Sequence, residues 1–197
     1  MTQYAIGVDV GGTKIEASVI SEKGEVFTNQ RIASPHTYEG MKQCLSNLIQ
    51  ELAQTHSIKG VGFSIPGSLD PQTFTLRNAP NSPCINNTLF FKELAESLYW
   101  PSFFENDANC LILSEHSFGV AKEYRHAVGV ILGTGVGAGV IQDDRLVHGA
   151  HGLAPELGHT PLNVYGRDCL CGNTGCVEAY LSGPSILKRY HEAGGDP

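Results

Sequence analysis

Asp9-Val10-Gly11-Gly12-Thr13-Lys14 is the stretch on which the fold of this chain turns. A short apolar run, Tyr4 to Val10, carries a carboxylate near its end and meets a glycine pair. A second run, Ile15 to Ile20, starts at once, and the turn Ser21-Glu22-Lys23-Gly24 leads into a third, Val26 to Ile32. Three such runs joined by short glycine-containing turns predict an antiparallel meander. Consecutive backbone N–H groups in a turn of this kind make an anion-binding concavity, and glycine lets the chain approach a phosphate closely. Gly11 and Gly12 would supply amides, Thr13 a hydroxyl, Lys14 a cation, and Asp9 a carboxylate able to hold Mg²⁺ through water. A plain hairpin turn explains the same residues. A strand–helix phosphate loop does not, because Thr13-Lys14 reverses the required Lys-Thr order and a strand follows.

Outward from this turn the pattern becomes helical. Met41, Leu45, Leu48 and Leu52 recur at spacings of 4, 3 and 4, which predicts a helix over Tyr38 to Thr55. Val61 to Ile65 is a strand stopped by Pro66-Gly67, Pro71 to Pro83 is loop-rich, and Leu89 to Leu98 is helical. Phe103 to Glu105 is expected as a short buried strand, with helix again from Asn106 to His116. Asn106 and Asp107 thus fall where a strand meets a helix. A carboxylate there can take a proton from a bound hydroxyl. It can equally cap the helix.

The pattern then restarts. Ala127 to Leu132 is a strand, Gly133 to Gly139 is glycine-rich, Val140 to Gln142 is strand-like and Asp143-Asp144 turns. Strand, Gly-Thr turn and strand therefore occur twice, at Gly11-Gly12-Thr13 and at Gly133-Thr134-Gly135, which suggests a duplicated domain. The boundary is expected near Gly119 to Arg125. Gly133 to Ala138 also matches the dinucleotide fingerprint G-x-G-x-x-A, but Val140-Ile141 and a turn follow where that motif needs an opening helix. Pro184 to Ala193 reads as helix.

Composition narrows the classes. The 197 residues carry 13 Lys and Arg against 20 Asp and Glu, a formal charge of −7, which gives no basic footprint for nucleic acid. No apolar run reaches membrane-spanning length, and Asp9 interrupts the first one with no basic segment before it, so neither a membrane anchor nor a signal peptide is expected and the cytosol is. Three of the six cysteines fall in Cys169-x-Cys171-x4-Cys176, with His159 ten residues upstream. In a reducing compartment such a cluster points to metal more than to disulfide, and three thiolates with one imidazole form a closed tetrahedral zinc set. A closed set leaves no position for water, so the zinc would be structural. Three ordinary reduced cysteines are the alternative. Cys44, Cys84 and Cys110 are expected as core or loop thiols.

These motifs, in this order, resemble the ROK family of bacterial sugar kinases and repressors. Asp9 to Lys14 is similar to its first phosphate motif, Glu105-Asn106-Asp107-Ala108-Asn109 to its catalytic segment, Leu132 to Gly139 to its second phosphate motif, and Cys169 to Glu178 to its zinc loop. The resemblance implies an α/β fold of the actin-like, hexokinase-like ATPase type, built from ribonuclease H-like duplicated βββαβα lobes. Residues 1–118 would form the first lobe and residues 119–197 the start of a second, incomplete one. It also implies ATP-dependent phosphorylation of a hexose hydroxyl, usually at C6, with Asp107 as the base. By the same resemblance Gly67, Asn78, Asn106, Glu156, His159 and Glu178 contact the sugar, His159 also ligates zinc, and ATP with Mg²⁺ is held by Asp9, Gly11, Gly12, Thr13, Lys14, Gly133, Thr134 and Gly135. Relatives are often dimers, so a homodimer is implied.

Some members are repressors with a DNA-binding domain ahead of this part. With a first strand so near Met1, no such domain is expected here. Ile65-Pro66-Gly67-Ser68 and Gly158-His159-Thr160-Pro161-Leu162 are closest to fructokinases of the family, with N-acetylglucosamine kinase the near alternative. A sugar-binding regulatory module without catalysis is the alternative from another class, and Pro155 stands where the family often has glycine.

Overall fold

The computed structural model describes residues 2–196. The chain divides into two compact units, Met1–Cys110 and Leu111–Pro197.

The first unit is a five-stranded sheet in the order β3-β2-β1-β4-β7. Its elements are β1 (Tyr4–Val10), β2 (Lys14–Ser21), β3 (Val26–Ala33), α1 (Tyr38–Ala53), β4 (Ile58–Ile65), the small hairpin β5 (Ser68–Leu69) and β6 (Leu76–Arg77), α2 (Phe90–Ser97) and β7 (Ser102–Asn106). The first three strands form the expected antiparallel meander. β4 then pairs parallel to β1, and β7 parallel to β4. Alternation decides which side is covered: Ile6, Val8 and Val10 of β1 and Ile15, Ala17 and Val19 of β2 are buried. α1 starts at Thr37, whose hydroxyl accepts the Gly40 N–H at 3.2 Å, and buries Met41, Leu45, Leu48, Ile49 and Leu52. α2 adds Phe90, Phe91 and Leu94 to the same core. Each such side chain contributes about 1.5–3 kcal/mol on burial, so this core needs no cross-link.

β7 is an edge strand, and it corrects one expectation. Phe104 stacks on Phe63 at 4.8 Å, but Phe103 is 69% exposed. A strand at the edge of a sheet covered on one face buries only alternate side chains.

Helix α3 (Asp107–Phe118) follows β7 directly, and the division between the units falls within it. The second unit contains β8 (Ala127–Leu132), β9 (Val136–Gln142) and β10 (Arg145–Leu146), a 3-10 turn at Leu157–His159, α4 (Glu178–Leu181) and α5 (Gly183–Glu192). Its three strands form an antiparallel meander, as β1 to β3 do. Asp143 and Asp144 turn β9 into β10 with φ of 50° and 61°, and Arg125 pairs with both carboxylates. β9 begins at Val136, inside the stretch expected to be loop, because Gly137 and Gly139 hide the alternation of Val136, Ala138 and Val140. Burial is thin here. The core cluster consists of Ile112, Ala121 and Ile141, while Val128, Val130 and Leu132 along β8 stay exposed. No helix among the described residues is long and apolar enough to cross a membrane.

Candidate active site

Parallel pairing brings together the candidate residues of the first unit. Asp9 of β1 lies opposite Ser64 of β4, and Ser64 opposite Glu105 of β7. The carboxyl ends of β1, β4 and β7 therefore lie side by side, the place where open α/β sheets bind ligands. The Ser64 hydroxyl donates to Asp9 Oδ1 at 2.8 Å. Asn106 ends β7 and Asp107 opens α3. The Ala108 N–H donates to Asp107 Oδ1 at 2.8 Å and to Asn106 Oδ1 at 3.0 Å, so both residues do cap the helix. Capping and a chemical role coexist here, because a second carboxylate oxygen of Asp107 remains. Burial holds the Asp107 carboxyl above the usual carboxylate range, the Ala108 N–H opposes this, and the Asp9 charge adds to it.

The sugar-facing residues expected in this unit come together. Asn106 Nδ2 donates to the Gly67 carbonyl at 2.8 Å. Gly67 has φ +71°, and a Cβ there would overlap the Arg77 carbonyl and press on Asn78. Asn78 itself sits at φ 58°. Gly67→Ala should therefore lose about 2 kcal/mol or more, from left-handed strain plus overlap with backbone. A lowered denaturant midpoint with unchanged slope checks this, and sugar affinity should fall with it.

The first glycine turn is tighter than its residues suggest. The Gly11 N–H donates to the Lys14 carbonyl at 2.9 Å, so that amide closes the hairpin. Gly12 is required by a close approach, since a Cβ would overlap the Asn81 carbonyl. Ser34 pins the turn from the other side: its hydroxyl donates to the Gly11 carbonyl at 2.6 Å and its N–H to the Thr13 carbonyl at 3.1 Å. Thr13 is exposed and Lys14 opens β2.

In the second unit the Gly133–Gly135 turn joins β8 to β9, with the Gly133 N–H bonded to the Gly135 carbonyl at 2.9 Å. Thr134 is exposed. Glu178, the first residue of α4, accepts the Val136 N–H at 2.9 Å, which ties it to this turn. Gly183, at the start of α5, donates its N–H to the Gly133 carbonyl at 2.8 Å. Glu156 precedes the 3-10 turn with φ 44°, a left-handed conformation that costs a non-glycine residue about 1 kcal/mol or more and is common at functional sites.

His159, Cys169, Cys171 and Cys176 converge, with their ligand atoms all within 4.8 Å of one another. Cys171 Sγ and Cys176 Sγ are 3.7 Å apart, and Cys169 Sγ is 3.7 Å from His159 Nδ1. Tetrahedral zinc with Zn–S near 2.3 Å puts neighbouring ligand atoms about 3.5–3.8 Å apart, so the donor set fits that ion. The Asn173 N–H holds the Cys171 thiol down to about 7, while burial and the neighbouring thiols push Cys176 up. Cys110 lies apart from this set. Burial and the Glu105 charge push its thiol up to about 12, which makes it inert.

Several residues escaped the sequence. Ser34, Ser64 and Glu105 hold the turn, Asp9 and Asn106 respectively, Glu105 by accepting the Asn106 N–H at 2.9 Å. The roles of Ser34 and Ser64 follow from strand register, which no short motif announces; Glu105 opens the Glu105-Asn106-Asp107-Ala108-Asn109 segment, but its bond to the Asn106 N–H is a detail of local geometry.

A meander-first sheet, a strand-end carboxylate pair and a repeated glycine turn define an actin-like, hexokinase-like ATPase fold. The ROK family model matches residues 5–196. The chain belongs to the ROK family. It is 35% identical over 184 residues to a glucokinase of Streptomyces coelicolor, covering 93% of this chain and 57% of that enzyme. It is 36% identical over 208 residues to an N-acetyl-D-glucosamine kinase of Mannheimia succiniciproducens, covering 96% of this chain and 66% of that enzyme. Among solved structures, a ROK glucokinase of Streptomyces griseus in complex with glucose and AMPPNP superposes with a TM-score of 0.82 at 31% identity, over 97% of this chain and 62% of that one. The chain thus spans about three-fifths of the length of these relatives.

Proposed function

We propose that this chain carries the sugar-phosphorylating machinery of a ROK hexose kinase. The observation that carries it is Asp107: a carboxylate at the junction of β7 and α3, with its pKa raised by burial and by Asp9. That is what a general base needs if it is to take a proton from a sugar hydroxyl near neutral pH. Asn106, Gly67 and Asn78 orient hydroxyls in the first unit, and Glu156, His159 and Glu178 contribute from the second. Phosphoryl transfer needs positioning and charge neutralisation more than covalent help. Mg²⁺-ATP supplies the phosphoryl group and its counter-charge; Asp9 is the residue to hold the ion through water. Thr13, Lys14 and the Gly11–Gly12 turn, with Gly133, Thr134 and Gly135, meet the phosphates. His159, Cys169, Cys171 and Cys176 hold a structural zinc, which fixes the loop leading to Glu178.

The sugar is the finer question. The fructose preference rests on Ile65 to Ser68 and Gly158 to Leu162 alone. The relatives above are a glucokinase and an N-acetylglucosamine kinase by name. Glucose and N-acetylglucosamine therefore join fructose, mannose and N-acetylmannosamine in an ADP-release assay with Mg²⁺-ATP. Turnover with one sugar is expected at least tenfold above the rest, because a buried polar group left without its hydroxyl costs heavily. Sugar binding without any turnover would instead establish a regulatory module, and binding of neither would remove the proposal.

A further inference from the structure

Beside the first glycine turn lies a small cavity of about 30 Å³, lined by Gly12, Pro35, Met41, Asn81, Ser82 and Cys84 among others. A site of that size is large enough for a water molecule. Ser82 is 3% exposed, and its hydroxyl has no hydrogen-bond partner among the described residues. The rest of Ser82 is committed. Its N–H donates to the Ala79 carbonyl at 3.0 Å, and its carbonyl accepts the N–H groups of Ile85 and Asn86, each at 3.1 Å. The backbone of Ser82 is thus held fixed, and one hydroxyl is left over beside a water-sized space. A buried hydroxyl left without a partner loses its hydrogen bonds to water with nothing in return, so something must satisfy it.

The surroundings say what that would do. Ser34 grips the Gly11–Lys14 turn from one side, through the Gly11 and Thr13 carbonyls. Pro35 follows Ser34 in sequence and lines the cavity. On the other side the Asn81 carbonyl lies so near Gly12 that a Cβ there would overlap it. The cavity therefore sits between the two supports of the turn. The Asn81–Ser82 segment also belongs to the loop that carries Asn78, so one loop reaches both the turn and a sugar-facing residue.

We propose that Ser82, together with a water bound in this cavity, is a positioning residue for the Gly11–Gly12 turn. Its bearing on nucleotide binding rests on the assignment of that turn to the phosphates; its effect on the turn does not. The test is amide hydrogen exchange on the full chain, comparing Ser82→Ala and Ser82→Thr with the parent. The Gly11 and Ser34 amides report on the turn, because both donate into it. In Ser82→Ala both should exchange at least about threefold faster, as expected when local opening becomes easier by a lost bridging hydrogen bond. Amides of β4 should be unchanged, and Ser82→Thr, which keeps the hydroxyl, should restore the parent rates. Unchanged exchange at Gly11 and Ser34, or an equal rise across β4, would overturn the proposal; the second result would mean a merely structural role. Titration with Mg²⁺-AMPPNP separates the two ideas. Weaker binding by Ser82→Ala would support both. Faster exchange in a chain that binds no nucleotide would uphold the positioning role and defeat the phosphate assignment.

Discussion

Stripping metal from the protein should unfold much of the second unit while leaving the first folded. The reason lies in the uneven cores. The first unit buries the apolar side chains of α1 and α2 against a five-stranded sheet. The second has a core cluster of Ile112, Ala121 and Ile141, with Val136 and Ala138 also buried, and the chain from Pro161 to Cys176 is held by turns and the isolated bridges Pro161–Cys176 and Asp168–Thr174. A small apolar core needs a staple. Structural zinc sites supply about 10–16 kcal/mol of apparent binding energy near neutral pH, far more than any one contact here. In a unit of this size each kilocalorie shifts the melting temperature by about 4–8 °C.

Chelation should therefore lower the melting temperature of the second unit by tens of degrees, on the order of the arithmetic just given. Metal analysis of the purified protein should find stoichiometric zinc. Cys176→Ser should reproduce the loss without chelator, since Cys176 is fully buried and its Sγ lies 3.7 Å from Cys171. Added Zn²⁺ should restore the stripped parent and not the variant. Equal melting curves with and without chelator would reduce the cluster to ordinary reduced thiols. Glu178 should report the same event, because α4 begins two residues after Cys176 and its carboxylate holds the Val136 N–H.

Much of this was legible before any coordinates, and the gaps have physical causes. The meander, α1 and α2 show themselves because alternation and a 3.6-residue period are local properties. The convergence of His159 with Cys169, Cys171 and Cys176 is foreshadowed because closely spaced cysteines on a short loop cannot lie far apart. Phe103 is misplaced by sequence alone because an apolar pair reads the same on a central strand and on an edge. β9 was shortened because glycines erase alternation. Ser64 is 55 residues from Asp9, and Glu178 is 42 from Val136. Partners at such separations are chosen by register and packing, and nothing in either local sequence points to the other. Ser82 is hidden for the same reason: its surroundings are assembled from three separate stretches of chain.

Asp107→Asn should abolish turnover without harming the fold. Asparagine keeps the size of the side chain and the oxygen that accepts the Ala108 N–H, so the start of α3 survives. What is lost is the ability to take a proton, worth about 10²–10⁴ in kcat for a general base. Sugar affinity should stay within about threefold, because Asn106 and Gly67 keep their mutual hydrogen bond. The stability prediction has a definite sign. Burial and the Asp9 charge raise the Asp107 pKa above its ordinary value. The folded state thus binds that proton more tightly than the unfolded chain, and the group's favourable contribution is present below its unfolded pKa and lost as pH rises through the folded one. At neutral pH the parent carries this penalty and Asp107→Asn does not. Asp107→Asn should therefore melt at an equal or higher temperature than the parent at pH 7, with the difference closing as the pH falls. The acid limb of the parent's kcat profile should lie above the ordinary carboxylate range, and in the Mg²⁺-free protein Asp9→Asn should lower the Asp107 pKa, followed by NMR, by removing the neighbouring charge. Loss of turnover together with a lowered melting temperature in Asp107→Asn would mean that this carboxylate is a helix cap first. An Asp107 pKa that does not respond to Asp9→Asn in the Mg²⁺-free protein would mean that burial alone raises it.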